Sequence, residues 1–307
     1  MPIFTILFGV LVLAGAFFLL IGYRVFSGFA VRGKQGKNAN LRQEGAGEYT
    51  EWFFSQHPEE HHLKTADGVL LCGRLLRAEK PRGATVLLLH GYLGTGPDHM
   101  GMFVPFYLNE GFDVFVPDHR AHGDSEGKYI GFGETDADDC AAWCRYLDRM
   151  YDGKRKLLLH GVSMGGATAC GASAKKDLPR SVCGVVSDCA FSSCVDQFSY
   201  SLRFIVSLSP KFLLPAANFW CKRLARYDIF TASAAEHIKK STLPFLFIHG
   251  ADDKFVPTEM VYQLFDACPD EGKILWVVPD AKHFVSYTVA KEEYEARLRT
   301  FFERIGI

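Results

Sequence analysis

The sequence predicts an α/β fold: a mostly parallel central sheet flanked by helices, with a small helical cap and an apolar N-terminal helix. Three observations predict it. From about residue 48, short apolar runs alternate with amphipathic stretches, as in a chain that feeds a parallel sheet with helices on its faces. Chemically loaded motifs recur at the C-terminal ends of those runs, where an open α/β sheet puts its ligands. Ile3 to Gly22 contains no charged residue and is long enough to cross a bilayer. The 307 residues, 48% hydrophobic and 22% charged, suit one large domain behind that apolar segment. With 34 basic and 35 acidic residues, nothing points to a nucleic-acid partner.

In chain order, residues 1–24 are expected to form a single transmembrane anchor. A cleaved signal peptide is the competing reading, but no Lys or Arg precedes the apolar run and no small-residue cleavage site follows it. Basic residues gather after the span at Arg24, Arg32, Lys34, Lys37 and Arg42, with only Glu44 acidic before Glu48. The positive-inside rule then puts the C-terminal part on the cytoplasmic side of the membrane. Residues 25–47, where Gly, Lys, Gln and Asn are frequent and apolar periodicity is lacking, are expected to be a flexible tether. Nine scattered cysteines form no disulfide framework and fit a reducing compartment. Neither close pair, Cys140 with Cys144 or Cys189 with Cys194, has partners at zinc-like spacing, so they read as packing and no metal is expected.

The domain at 48–307 opens with Glu60 to Lys64 and Val69 to Leu76 around a turn whose Asp67-Gly68 is a hairpin signal, so an antiparallel pair is expected. Buried strands follow at Thr85 to Leu89, Asp113 to Val116, Lys156 to Leu159, Gly184 to Ser187, Phe245 to Ile248 and Ile274 to Val278. Helical periodicity fills 98–110, 134–151, 164–175, 258–267 and 289–304.

The run Lys156 to Leu159 leads through His160-Gly161-Val162-Ser163-Met164-Gly165 into an Ala-rich segment: G-x-S-x-G in a strand-turn-helix context. A turn that sharp strains the serine backbone and leaves no room for a Cβ at Gly161 or Gly165, so the hydroxyl is held up and exposed. A serine hydroxyl is a weak nucleophile at neutral pH and needs a base and a group to orient that base. His283, after the last strand, supplies the base, and Asp252 or Asp253, after the strand before it, the acid.

With these motifs, residues 60–305 resemble the α/β-hydrolase superfamily, close to bacterial serine hydrolases of the esterase, lysophospholipase-like and aminopeptidase-like kinds. The family's G-x-x-D-x-x-V-P pattern is matched by Gly250, Asp253, Val256 and Pro257, which favours Asp253 over Asp252. Its pattern before the last helix is imperfect here, with Asp280 where Gly is usual, and His283 still fits. His90-Gly91-Tyr92 is similar to the family's H-G-x loop, implying an oxyanion hole from the backbone N–H groups of Tyr92 and Met164. His90, His160 and His249, each before a Gly at a strand end, read as scaffold. Asp118 to Gly127 resembles a supporting loop in which Ser125 is unreactive. The family's cap falls at about 190–241, where aromatics from Phe191 to Tyr227 are spaced as on helices, implying a lid over Ser163. The resemblance implies a cofactor-free hydrolase of small-molecule carboxylic esters, lipid-like or otherwise hydrophobic ones included. The alternatives are a peptidase of the same fold and a non-catalytic binding module. Nothing in the sequence bears on oligomeric state.

Overall fold

Eight strands line up in the order β1-β2-β4-β3-β5-β6-β7-β8, and the two apolar clusters on the faces of this sheet hold the molecule together. The computed structural model describes residues 2–33, 46–205 and 209–307. The elements, in order, are α1 (Pro2–Ala30), α2 (Ala46–Ser55), β1 (Glu59–Lys64), β2 (Leu70–Leu76), β3 (Ala84–Leu89), α3 (Gly96–Met100), α4 (Val104–Asn109), β4 (Asp113–Pro117), α5 (Thr135–Met150), β5 (Lys156–Val162) and α6 (Met164–Ala172). They continue with β6 (Val182–Asp188), α7 (Cys194–Ile205), α8 (Pro210–Trp220), α9 (Ala234–Ile238), β7 (Phe245–Gly250), α10 (Glu259–Ala267), β8 (Ile274–Val278), α11 (Ser286–Val289) and α12 (Lys291–Ile305).

β3 to β8 run parallel, while β2 is antiparallel to both β1 and β4. Alternation explains the nearly all-apolar strands. Val86 and Leu88 of β3 face the side covered by α4 and α12, whereas Leu87 and Leu89 face the side covered by α5 and α6. A strand covered on both faces has no polar side to show. At the first hairpin Gly68 takes φ +90° and the Thr65 hydroxyl accepts from the N–H of Val69. The helix expected over 98–110 is broken by a 3-10 turn at Gly101–Phe103. Pro105, just inside α4, has no N–H to donate back to that turn, which favours a break at this point.

The largest departure from the sequence reading is at the N-terminus. α1 is long and apolar enough to cross a membrane, and it does not end at residue 24. It continues to Ala30, with Phe26 and Ala30 fully buried against the domain and Val31 bridged to Tyr129. Residues 25–33 are therefore part of the packed structure rather than tether. Residues 34–45, with Lys34, Lys37, Arg42 and Glu44, lie outside the described residues. The cause is long-range: Phe26 packs on Tyr129 and Phe29 on Phe132, partners about a hundred positions away that local composition does not reveal.

The segment between β6 and β7 is helical, as expected for a cap. α8 lies along α1: the backbone of Ala216 abuts Gly22, and the Trp220 indole N–H donates to the carbonyl of Leu19. A five-residue π-helical turn, Cys221–Ala225, ends it at Arg226, which takes φ +63°. All nine cysteines are free, eight of them buried and Cys183 half-buried.

Candidate active site

Ser163 stands between β5 and α6 at φ +54°, ψ −119°, a backbone conformation that costs a side-chain-bearing residue about 1–3 kcal/mol. Its surroundings impose that cost. A Cβ at Gly161 would lie 2.1 Å from the Gly165 carbonyl oxygen, and one at Gly165 would lie 2.0 Å from that of Leu89. The Ser163 N–H donates to the Asp188 carbonyl at 2.8 Å, fixing the turn to the end of β6.

Nε2 of His283 is 3.0 Å from Oγ of Ser163, and Nδ1 of His283 is 2.6 Å from Oδ2 of Asp253. The Asp253 carboxylate has no exposed surface. Its Oδ1 accepts from the N–H groups of Phe255 and Val256, both at 2.9 Å, and His249 Nε2 stands 3.3 Å from Oδ2. Burial alone raises a carboxyl pKa, but hydrogen bonds from His249 and His283 outweigh it and hold Asp253 at about 2. Asp252 is exposed, with its backbone N–H on the Ala281 carbonyl. Asp280, which stands where the family has Gly, takes φ +57°, a left-handed conformation that Asp tolerates better than most residues. The departure from the motif therefore leaves the turn that presents His283 intact.

The loop after β3 lies directly against Ser163: a Cβ at Gly91 would be 3.2 Å from that of Ser163. Four buried histidines brace it. Burial pulls His99, His119 and His122 down to about 4 and His90 well below its ordinary value, so all four are neutral at pH 7. Their tautomers follow from their partners. His90 Nε2 accepts from the His119 N–H, so its Nδ1–H donates to the Gly91 carbonyl. His122 Nε2 accepts from the Leu93 N–H, so its Nδ1–H donates to the Arg120 carbonyl. His99 Nδ1 accepts from the Gly91 N–H, and the His99 ring occupies the space a Cβ at Gly94 would need. Tyr92 turns the other way and donates its hydroxyl to the Phe29 carbonyl of α1 at 2.8 Å. Met164 opens α6.

The remaining histidines singled out in the sequence sit where a scaffold needs them. His160 lies between the hydroxyls of Tyr107 and Tyr294. His249 Nε2 is also 3.0 Å from the Val256 carbonyl. Ser125 is buried, donating to the Asp118 carbonyl and accepting from the Cys72 N–H. In the same loop Arg120 makes a bidentate pair with Asp139, both bonds 2.6 Å, and a further contact with Asp67. α7 reaches the Asp253 loop, with Gln197 donating to the Phe255 carbonyl and Tyr200 to that of Lys254.

Comparison with known proteins agrees with this architecture. A family model described as "alpha/beta hydrolase fold" matches residues 84–217. An esterase of Pyrococcus furiosus superposes with a TM-score of 0.67 at 25% sequence identity, over 82% of this chain and 93% of that one. The chain has the α/β-hydrolase fold. Among its relatives, the protein YqkD of Bacillus subtilis is 28% identical over 225 residues, 72% of each chain. The membrane protein YNL320W of Saccharomyces cerevisiae is 29% identical over 228 residues, 73% of this chain and 72% of that one. Fold and neighbours together support hydrolase activity on esters, and α1 with the yeast relative supports a membrane protein.

Two features of the site were not evident in the sequence: His99 with the particular contacts that His119 and His122 make from the expected supporting loop, and the end of α1. A signal for the first was present, since four of the eleven histidines fall between His90 and His122. Among the described residues one trio with metal-type ligand atoms, Glu60, His62 and Cys72, lies on the β1–β2 hairpin, where the Arg74 guanidinium is 3.7 Å from the Glu60 carboxylate.

Proposed function

We propose that this protein hydrolyses carboxylic esters through an acyl-enzyme, with Ser163 as nucleophile, His283 as general base and Asp253 as the acid that orients it. The observation that carries the reading is the unbroken hydrogen-bond line from Ser163 Oγ through His283 to Asp253 Oδ2, at 3.0 and 2.6 Å, on a strained elbow.

Asp253 accepts the Nδ1–H of His283, which leaves the Nε2 lone pair toward Ser163. As Oγ bonds to the ester carbonyl carbon, Nε2 takes the hydroxyl proton and the carbonyl oxygen becomes an anion. The N–H groups of Tyr92 and Met164 are assigned to that anion, the latter at the positive end of α6. On collapse the C–O bond to the leaving group breaks, and Nε2 passes its proton to the departing alcohol. Water then adds to the acyl-enzyme, again giving a proton to Nε2, and Ser163 leaves with that proton as the carboxylic acid is released. These steps use only side chains, backbone N–H groups and water.

A hydrophobic acyl group is the preferred substrate class. The rings of Phe29, Phe132 and Phe198 pack at centroid distances of 4.5 to 5.6 Å beside the Tyr92 loop, and α1 brings the domain to a membrane. The basic residues after the span support a cytoplasmic side for that domain.

Replacing Ser163 with Ala tests the assignment. Turnover of a p-nitrophenyl ester and labelling by a fluorophosphonate should both disappear, with a loss of at least about 10⁴-fold in kcat and an unchanged melting profile. Turnover near that of the parent would overturn it.

A further inference from the structure

We propose that the last two turns of the membrane helix are a working part of the catalytic site, with Tyr92 as the positioning residue that couples them to the oxyanion loop. The inference rests on the reading of the Tyr92 N–H as an oxyanion donor. It goes beyond that reading by giving α1 a catalytic task in addition to anchoring.

A helix end leaves its last carbonyls without partners inside the helix, and something must satisfy them. At the end of α1 the catalytic domain does so. The Ala30 carbonyl accepts from the Ile130 N–H at 2.8 Å, and the Phe29 carbonyl accepts from the Tyr92 hydroxyl at 2.8 Å. Just beyond the helix, the Arg32 guanidinium donates to the carbonyls of Gly123 and Ser125, and its N–H donates to the carbonyl of Lys128. Phe26 and Ala30 are fully buried, and the Phe29 ring lies 4.5 Å from that of Phe198 in the cap and 5.6 Å from that of Phe132. The helix is thus docked through its side chains, and its exposed backbone end is capped from the loop that faces Ser163.

That loop is held from two sides. On the domain side, the histidine brace fixes Gly91 and Leu93. On the other side the Tyr92 hydroxyl ties the residue between them to α1. An oxyanion donor acts mainly in the transition state, so a small displacement of its N–H lowers kcat while leaving ground-state binding nearly unchanged. Removing a whole donor costs about 10²–10³ in kcat. Releasing one of two restraints on a donor still in place should cost about tenfold, or about 1.4 kcal/mol of activation free energy.

The experiment uses the full chain in detergent micelles or vesicles, with Tyr92→Phe, Gly22→Val and Ser163→Ala measured side by side on a p-nitrophenyl ester. Tyr92→Phe deletes the hydroxyl and keeps the ring. The expected result is a kcat about tenfold lower with KM within about twofold, a similarly slower reaction of Ser163 with a fluorophosphonate, and little change in melting. Gly22→Val acts from a distance and leaves Tyr92 intact. A Cβ at residue 22 would fall 2.3 Å from the Ala216 carbonyl oxygen and wedge α1 away from α8. It should reproduce the loss in kcat. The proposal is overturned if either folded variant keeps kcat within about twofold of the parent, or if the loss falls on KM alone, as it would for a residue that only lines the pocket. Ser163→Ala separates the two readings. An inactive Ser163→Ala beside a fully active Tyr92→Phe removes this inference alone, whereas an active Ser163→Ala removes the catalytic assignment beneath it.

Discussion

Replacing Asp253 with Asn gives a sharp test, because the surroundings of that carboxylate dictate which way an amide must lie. Oδ1 accepts two backbone N–H groups, from Phe255 and Val256, both at 2.9 Å. An asparagine keeps those bonds only by putting its oxygen there, which forces its NH2 into the place of Oδ2, 2.6 Å from His283 Nδ1. Two donors cannot face each other at that distance. His283 therefore gives up its Nδ1 proton, takes one on Nε2 and points N–H at Ser163 where a lone pair is needed. The nucleophile loses its base while the geometry stays almost the same. A tautomer error of this kind costs about 10⁴ in kcat, close to 5.5 kcal/mol of transition-state stabilisation. Asp252→Asn, at the exposed neighbouring carboxylate, should stay within about twofold of the parent. The assay is steady-state hydrolysis of a p-nitrophenyl ester by the full chain at pH 7 to 8, with melting curves to show that both variants fold. Asp253→Asn with more than a tenth of parental kcat, or a large loss in Asp252→Asn, would refute the reasoning.

Two further outcomes are expected. The buried histidines make the fold acid-sensitive. His90, His99, His119, His122 and His160 are neutral when folded and take up a proton near pH 6.5 when unfolded, so their contribution is fully present above that pH and is lost as pH falls toward 4. Burial pushes Asp139 and Asp188 up to about 7 and raises Asp136 as well, so these three act in the opposite direction across the same window. The histidines outnumber them, and unfolding free energy should drop by about 3 kcal/mol between pH 6.5 and 5. Equal stability in urea titrations at the two pH values would contradict a neutral brace. For the proposed topology, protease added to sealed vesicles with the cytoplasmic face inward should leave the domain uncut until detergent is added, and cutting without detergent would place the domain on the other side.

What could be read in the sequence was what depends on neighbours along the chain. Ile274 to Val278 coincides with β8 because a strand covered on both faces is apolar throughout, and the Gly161 and Gly165 spacing announced the elbow because both glycines serve one tight turn. Strand ends came out short where polar residues begin: β5 was expected to stop at Leu159 and runs on to Val162, because sheet pairing with β6 continues through the motif itself. Partners far apart in sequence were invisible. The stretch Tyr23–Ala30 mixes Arg, Ser and Gly with its aromatics and looks like linker until Tyr129, Phe132 and Trp220 are brought to it. His99 has no local signature, and His119 and His122, although inside the expected supporting loop, do not show their partners until the fold gathers them around Gly91.

The unbroken course of α1 also sets where chemistry takes place. In a bilayer whose hydrocarbon takes up Ile3 to Gly22, the Phe29 carbonyl that holds Tyr92 stands about 10 Å beyond the boundary, at 1.5 Å per residue, roughly the depth of the lipid headgroups. Because the helix is clamped by α8 at Gly22 and by the domain at Ala30, the proposed site is tied to the membrane segment at two points rather than through a tether. An ester in solution must find this station by a three-dimensional search. An amphiphile in the same leaflet shares that plane with the proposed site, and its search loses a dimension.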